Sequence, residues 1–178
     1  MDDTTIECKP SLSRAFEHLC EHASDWNTSR VLDEGLDLAR DAVWADACVL
    51  HRVRGDQMVE VARRPVDRAA GATPHAEPLD RFPWDLAPVQ AERFLLVSDA
   101  RGLPVHRGAS VTFGSLGVRS CLHLPILERD SPVGALHLYW SGPRLAWDDD
   151  RGRVLRSLGR FLIAATDARP GADRPADT

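Results

Sequence analysis

Residues 119–127, RSCLHLPIL, and 133–140, VGALHLYW, are two short runs in which apolar side chains alternate with polar or small ones. Successive side chains on a strand point to opposite faces. Leu122, Leu124 and Ile126 therefore share one side of the first run, and Arg119, Cys121 and His123 share the other. In the second run Leu136, Leu138 and Trp140 lie on one side, with Ala135, His137 and Tyr139 on the other. A hairpin that buries both leucine rows together must match even-numbered residues with even-numbered ones, Leu124 near Leu136 and Leu122 near Leu138. That register collects Cys121, His123, His137 and Tyr139 on one common face, and the fold must supply something for each face to meet.

The partners for the leucine face are helical. SLSRAFEHLCEHA (11–23) sets Leu12, Phe16, Leu19 and Ala23 at helical spacing. A longer run from Thr28 to Ala45 repeats the pattern after DWNTS, whose side chains offer N-caps. Near the C-terminus Val154, Leu155, Leu158, Phe161, Leu162 and Ala165 form a stripe, with Asp148, Asp149 and Asp150 placed against the helix N-terminal dipole. Between these, DACVLHRV (46–53) and QMVEVARR (57–64) read as a second hairpin turning at RGD. RFLLVSDA (93–100) reads as a strand ending in Ser98 and Asp99, and VTFGSLGV (111–118) as a short helix stopped at Gly117. The proline-rich stretch 65–92, with its island RFPWDL, and the stretch 101–115 read as long loops, with at most a short helix in the first. Trp84 and Phe82 in that island suit a hydrophobic anchor or a lid that stacks on a planar ligand. The fold class is α+β, as one domain over 11–168, with 1–10 a disordered tail and 169–178 a disordered tail or linker.

Composition narrows the function. A chain of 178 residues with 43% hydrophobic content can bury one core. A net charge of −5, with scattered arginines, argues against nucleic-acid binding. No apolar run is long enough to span a bilayer, and the acidic start MDDTTIECKP is unlike a secretion signal. The expected compartment is the cytoplasm. Cys8, Cys20, Cys48 and Cys121 are far apart, which fits free thiols better than a disulfide framework or closed zinc site.

The segment 116–165, LGVRSCLHLPILERDSPVGALHLYWSGPRLAWDDDRGRVLRSLGRFLIAA, resembles a GAF domain, the small-molecule-sensing module of bacterial signalling proteins. The opening VLDEGLDLARDAVWADACVLHRV is similar to that family's first long helix and strand. The resemblance implies a central antiparallel sheet with the terminal helices on one face and a loop-capped ligand pocket on the other. It also implies dimerisation through the terminal helices and a signalling output protein as partner.

On that frame the polar strand face looks into the pocket, and four uses of it stay open. The first is core, with Cys121 a small buried hydrophobe. The second is a small ligand or anion held through Cys121, His123, His137, Tyr139 and Arg119, with Trp84 and Asp99 from the loops. A metal would need a further ligand such as Asp99 or His106. Catalysis is the fourth. The resemblance also marks departures. Arg119 stands where iron-sensing and haem-binding members carry a histidine, and VTFGSLG has neither the cysteine nor the histidine of bilin-binding members. The cyclic-nucleotide signature is missing. No cysteine lies between Cys48 and Cys121 to supply the loop pair of the methionine sulfoxide reductases. The sequence names no cofactor and no metal. The expected function is sensing or regulation without catalysis, with a dimerisation domain whose pocket is vestigial as the alternative and a non-haem metal sensor of gas or redox state behind both.

Overall fold

A computed structural model describes residues 11–65, 76–78, 94–102, 117–129, 131–144 and 146–168. The expected tails, Trp84, His106 and the short helix before Gly117 lie outside these residues, as does most of both long loops.

The chain opens with helix α1 (Leu12–His22), capped by the Ser11 side chain on Arg14 N. A 3-10 turn (Ala23–Asp25) leads to α2 (Thr28–Ala42), where Asn27 Oδ1 accepts from Arg30 N at 2.8 Å. Such caps satisfy amide donors that a helix start leaves open. Strands β1 (Ala47–Arg54) and β2 (Gln57–Arg64) form the first hairpin, turning at Gly55 with φ of 63°, a conformation that glycine adopts without a Cβ penalty. Two short strands follow, β3 (Ala76–Pro78) and β4 (Leu95–Val97). The second hairpin, β5 (Ser120–Glu128) and β6 (Ser131–Trp140), precedes α3 (Asp149–Asp167), which is capped by Asp148.

The six strands make one antiparallel sheet in the order β3-β2-β1-β6-β5-β4. Leu124 pairs with Leu136 and Leu122 with Leu138, the register that the alternation requires. The even-numbered row, joined by Cys48 and Leu50 of β1, packs against the three helices in one core with Leu36, Leu155, Leu158 and Leu162. Phe16 of α1 meets Phe161 of α3 edge to face at 5.8 Å, tying the terminal helices together. This is the expected α+β architecture with its helices on one face.

Three differences refine the sequence reading. The expected loop at 65–92 contains β3, which pairs with β2 at the sheet edge. Three residues ending in a proline carry no readable period, and an edge strand tolerates that proline. The turn joining β5 to β6 is tighter than ERDSP suggests, because Glu128 already pairs with Ser131 and Arg129 takes φ of 48°. The helix expected to reach Ala45 ends at Ala42, where the chain turns toward β1. Among the described residues, no helix is long and apolar enough to cross a membrane.

Candidate functional site

The sheet face opposite the helices carries the odd-numbered residues of β5 and β6. Cys121 stands across from Tyr139, and His123 from His137. The next strand, β1, adds Val49 beside His137 and His51 beside Ala135. Beyond it, Glu60 of β2 faces His51, and Arg63 faces Val49. On the other flank Leu95 and Val97 of β4 border His123 and Cys121.

Side chains on this face meet one another. The His51 and His137 rings lie 4.6 Å apart between centroids, tilted by 32°. His123 meets His137 edge to face at 4.5 Å. Cys121 Sγ and His123 Nε2 are 3.2 Å apart, and His137 Nδ1 and Tyr139 Oη are also 3.2 Å apart. Arg63 Nε donates to Glu60 Oε1 at 2.6 Å on the neighbouring strand. Cys121, His123 and His137 are fully or almost fully buried, and His51 is 8% exposed.

Burial sets the protonation of this cluster. It pushes the Cys121 thiol up to about 12 and raises the Tyr139 phenol, which also lies near the thiols of Cys121 and Cys48 and the Glu60 carboxylate. Desolvation, followed by the nearby His51, lowers His123 to about 4, and His137 is held well below its usual value by desolvation and by both neighbouring imidazoles. At neutral pH the thiol, both imidazoles and the phenol are uncharged. Cys121 and His123 thus form a neutral hydrogen-bonded pair; a reactive thiol needs its thiolate form. The chemistry on offer is hydrogen bonding from a low-polarity wall, the kind of lining that holds small organic ligands.

Of the expected site residues, Cys121, His123, His137 and Tyr139 come together. Arg119 and Asp99 meet each other instead, at the end of β5: Arg119 Nη2 lies 3.1 Å from Asp99 Oδ2, and Arg101 Nη2 lies 3.0 Å from the same atom. The Arg101 and Arg119 guanidiniums hold the Asp99 carboxyl well below the usual carboxylate range. Trp84 lies outside the described residues. His51 was missed: DACVLHRV shows a strand, but its place beside β6 depends on a pairing across more than eighty residues of chain. The alternation of Ala47, Val49 and His51 was the available signal. Among the described residues, Cys20, Cys48 and Cys121 are free thiols. Among the described residues, the His/Cys/Asp/Glu group whose ligand atoms all lie within 4.8 Å of one another is on α1, not on this face.

Two surface clefts lie away from the imidazoles. One, of about 100 Å³, runs beside Trp44, Trp140, Trp147, Arg144 and Arg151. The other, of about 350 Å³, is formed by Arg52, Val53, Arg54, Thr166 and Asp167, where Arg52 is already paired with Asp167.

The GAF domain family model matches residues 27–165, so the chain belongs to the GAF domain family. Among solved structures it is similar to the phycocyanobilin-bound GAF domain of a cyanobacterial phytochrome (TM-score 0.69, 14% identity), covering 91% of this chain and 99% of that one. It is also similar to a phycoerythrobilin-bound GAF domain from a cyanobacterial phytochrome (TM-score 0.68, 15% identity), covering 88% and 95%. A third similarity is to the chromophore-binding domain of an unusual bacteriophytochrome from R. palustris (TM-score 0.65, 12% identity), covering 89% of this chain and 62% of that one. The chain thus spans about three fifths of the R. palustris chain. No curated protein matches the sequence.

Proposed function

We propose that this GAF domain is a non-catalytic sensory or regulatory module in bacterial signalling that holds a small, uncharged, planar ligand against the face formed by His51, Cys121, His123, His137 and Tyr139. The observation that carries the proposal is the register: it gathers three imidazoles, a thiol and a phenol on the buried side of the sheet that the helices leave to other partners. Neutral imidazoles donate at one ring nitrogen and accept at the other, so they suit a ligand with both kinds of group. The bilin-bound neighbours support the reading, since in them this fold accommodates a small molecule. A buried, protonated Cys121 favours noncovalent binding. Arg119 and Asp99, paired with each other at the end of β5, stand at the edge of the proposed site.

In this proposal ligand binding changes how two copies pair through the outer faces of α1 and α3, and an output protein reads that change. The ligand must bind the two arrangements with different affinity for any signal to pass. Sedimentation supplies the check on pairing: a dimer that dissociates on dilution fits, and a monomer at every concentration removes this part.

One observation favours a second reading, a dimerisation domain with a vestigial pocket. The imidazoles already fill the centre of the face at 4.5 and 4.6 Å from one another. A fragment screen by ligand-observed NMR separates the two readings. The sensory reading predicts aromatic fragments that bind the wild type and lose binding in the His123→Gln/His137→Gln protein. Equal binding to both, or no binding to a folded wild type, favours the second.

A further inference from the structure

On the opposite side of the molecule from the imidazole face, α1 ends in HLCEH, residues 18–22. His18, Glu21 and His22 fall at positions i, i+3 and i+4, which bring side chains onto one helix face. Here they do meet: one ligand atom from each lies within 4.8 Å of those of the other two. The His18 and His22 rings are 4.2 Å apart between centroids.

A second observation orients the ligands. His22 Nδ1 lies 2.9 Å from the His18 backbone carbonyl oxygen. A carbonyl can only accept, so Nδ1 carries the proton, and in the neutral ring Nε2 is left with its lone pair. A backbone carbonyl that fixes the tautomer of a histidine is the support that metal-ligating imidazoles commonly have. Trp26 lies near His22, with ring centroids 6.0 Å apart.

We propose that His18, Glu21 and His22 form a surface site for a divalent transition metal of the zinc, nickel and copper class. Two imidazoles and a carboxylate match the ligand preference of these ions and are a poor set for magnesium or calcium, which take oxygen ligands. At metal–ligand distances of about 2.1 Å, ligand atoms on one ion lie no more than about 4 Å apart. The present spacing within 4.8 Å is a little wider than that, and His18 and Glu21 are both exposed, with room to turn inward. Three protein ligands leave the remaining positions to water. The bound ion clips the last turn of α1 to itself, just before the 3-10 turn that leads into α2. Binding to the folded helix therefore stabilises it, with a gain that grows as the logarithm of the free metal concentration once this exceeds the dissociation constant.

The test is calorimetric titration of the untagged, full-length chain with zinc chloride at neutral pH, repeated on His18→Ala and His22→Ala. Alanine is the best helix former, so both variants keep α1. The expected result is one zinc ion per chain in the wild type and at least about a tenfold loss of affinity in each variant, the loss already typical of disturbing a ligand's support. Glu21→Gln gives a smaller loss. In parallel, copper(II) quenches tryptophan fluorescence at one equivalent through Trp26, and His22→Ala removes that step. No binding to the wild type overturns the proposal. So does unchanged binding in His18→Ala and His22→Ala, which would place the ion elsewhere, including at Cys121 and His123.

Discussion

His123 stands directly across from His137 in the β5–β6 ladder, and the two rings meet edge to face at 4.5 Å with His51 stacked on the far side of His137. Burial holds the His123 and His137 imidazoles uncharged, because protonating either would place a cation beside its neighbours in a medium that solvates it poorly.

A pH dependence of stability follows. His123 is lowered from 6.5 to about 4 in the folded protein, so the unfolded chain takes up the proton first as pH falls. Stability is then intact above about pH 6.5 and declines toward pH 4, by on the order of 3 kcal/mol from this residue. His137 acts in the same direction. Urea unfolding at pH 7.5, 6 and 5 should show the decline, with a shallower one in His123→Gln. Equal slopes in the two proteins would contradict the arrangement.

Thiol reactivity reports on the same face. Cys121 and Cys48 are fully buried and raised by desolvation, whereas Cys20 is exposed on α1. Iodoacetamide followed by peptide mapping should label Cys20 in the native protein and reach Cys48 and Cys121 only after denaturant is added. Rapid native labelling of Cys121 would show that the face is open.

Gly134 is where β6 passes under α3. A Cβ built there would run into the His51 carbonyl oxygen and Ile163 Cδ1. The backbone oxygen cannot move aside without disturbing the β1–β6 ladder that carries His51. Gly134→Ala should therefore cost about 1–3 kcal/mol in denaturant unfolding, as overpacking usually does. A neutral substitution would mean that β1 and β6 are less closely packed at this point.

Large-to-small changes on the opposite face test the core. Leu124 and Leu136 pair across β5 and β6 and are both fully buried. Leu124→Ala should lose about 2–5 kcal/mol. A loss under about 1 kcal/mol would argue against a leucine row packed on the helices.

What the sequence disclosed followed the range of each interaction. The alternation through Leu122, His123 and Leu124 fixed the β5–β6 register and, with it, the company of Cys121, His123, His137 and Tyr139. The cap at Asn27 and the acids at the start of α3 were legible because they act within one helical turn. His51 escaped notice because β1 reaches β6 only in the folded sheet, and no local pattern encodes that meeting. β3 escaped because three residues are too few to show a period. The Asp99–Arg119 pair joins residues from two strand ends, so each looked available in the sequence while the structure gives it a partner. The histidines of α1 passed as the polar side of an amphipathic helix, since spacing alone does not show which exposed side chains converge.

The central claim is that the imidazole face holds a small molecule, and native mass spectrometry of freshly purified protein tests it most directly. The account predicts a stoichiometric noncovalent mass above that of the polypeptide, lost in a folded His123→Gln/His137→Gln variant. A wild-type mass equal to the bare chain, or the same added mass in the variant, would contradict it.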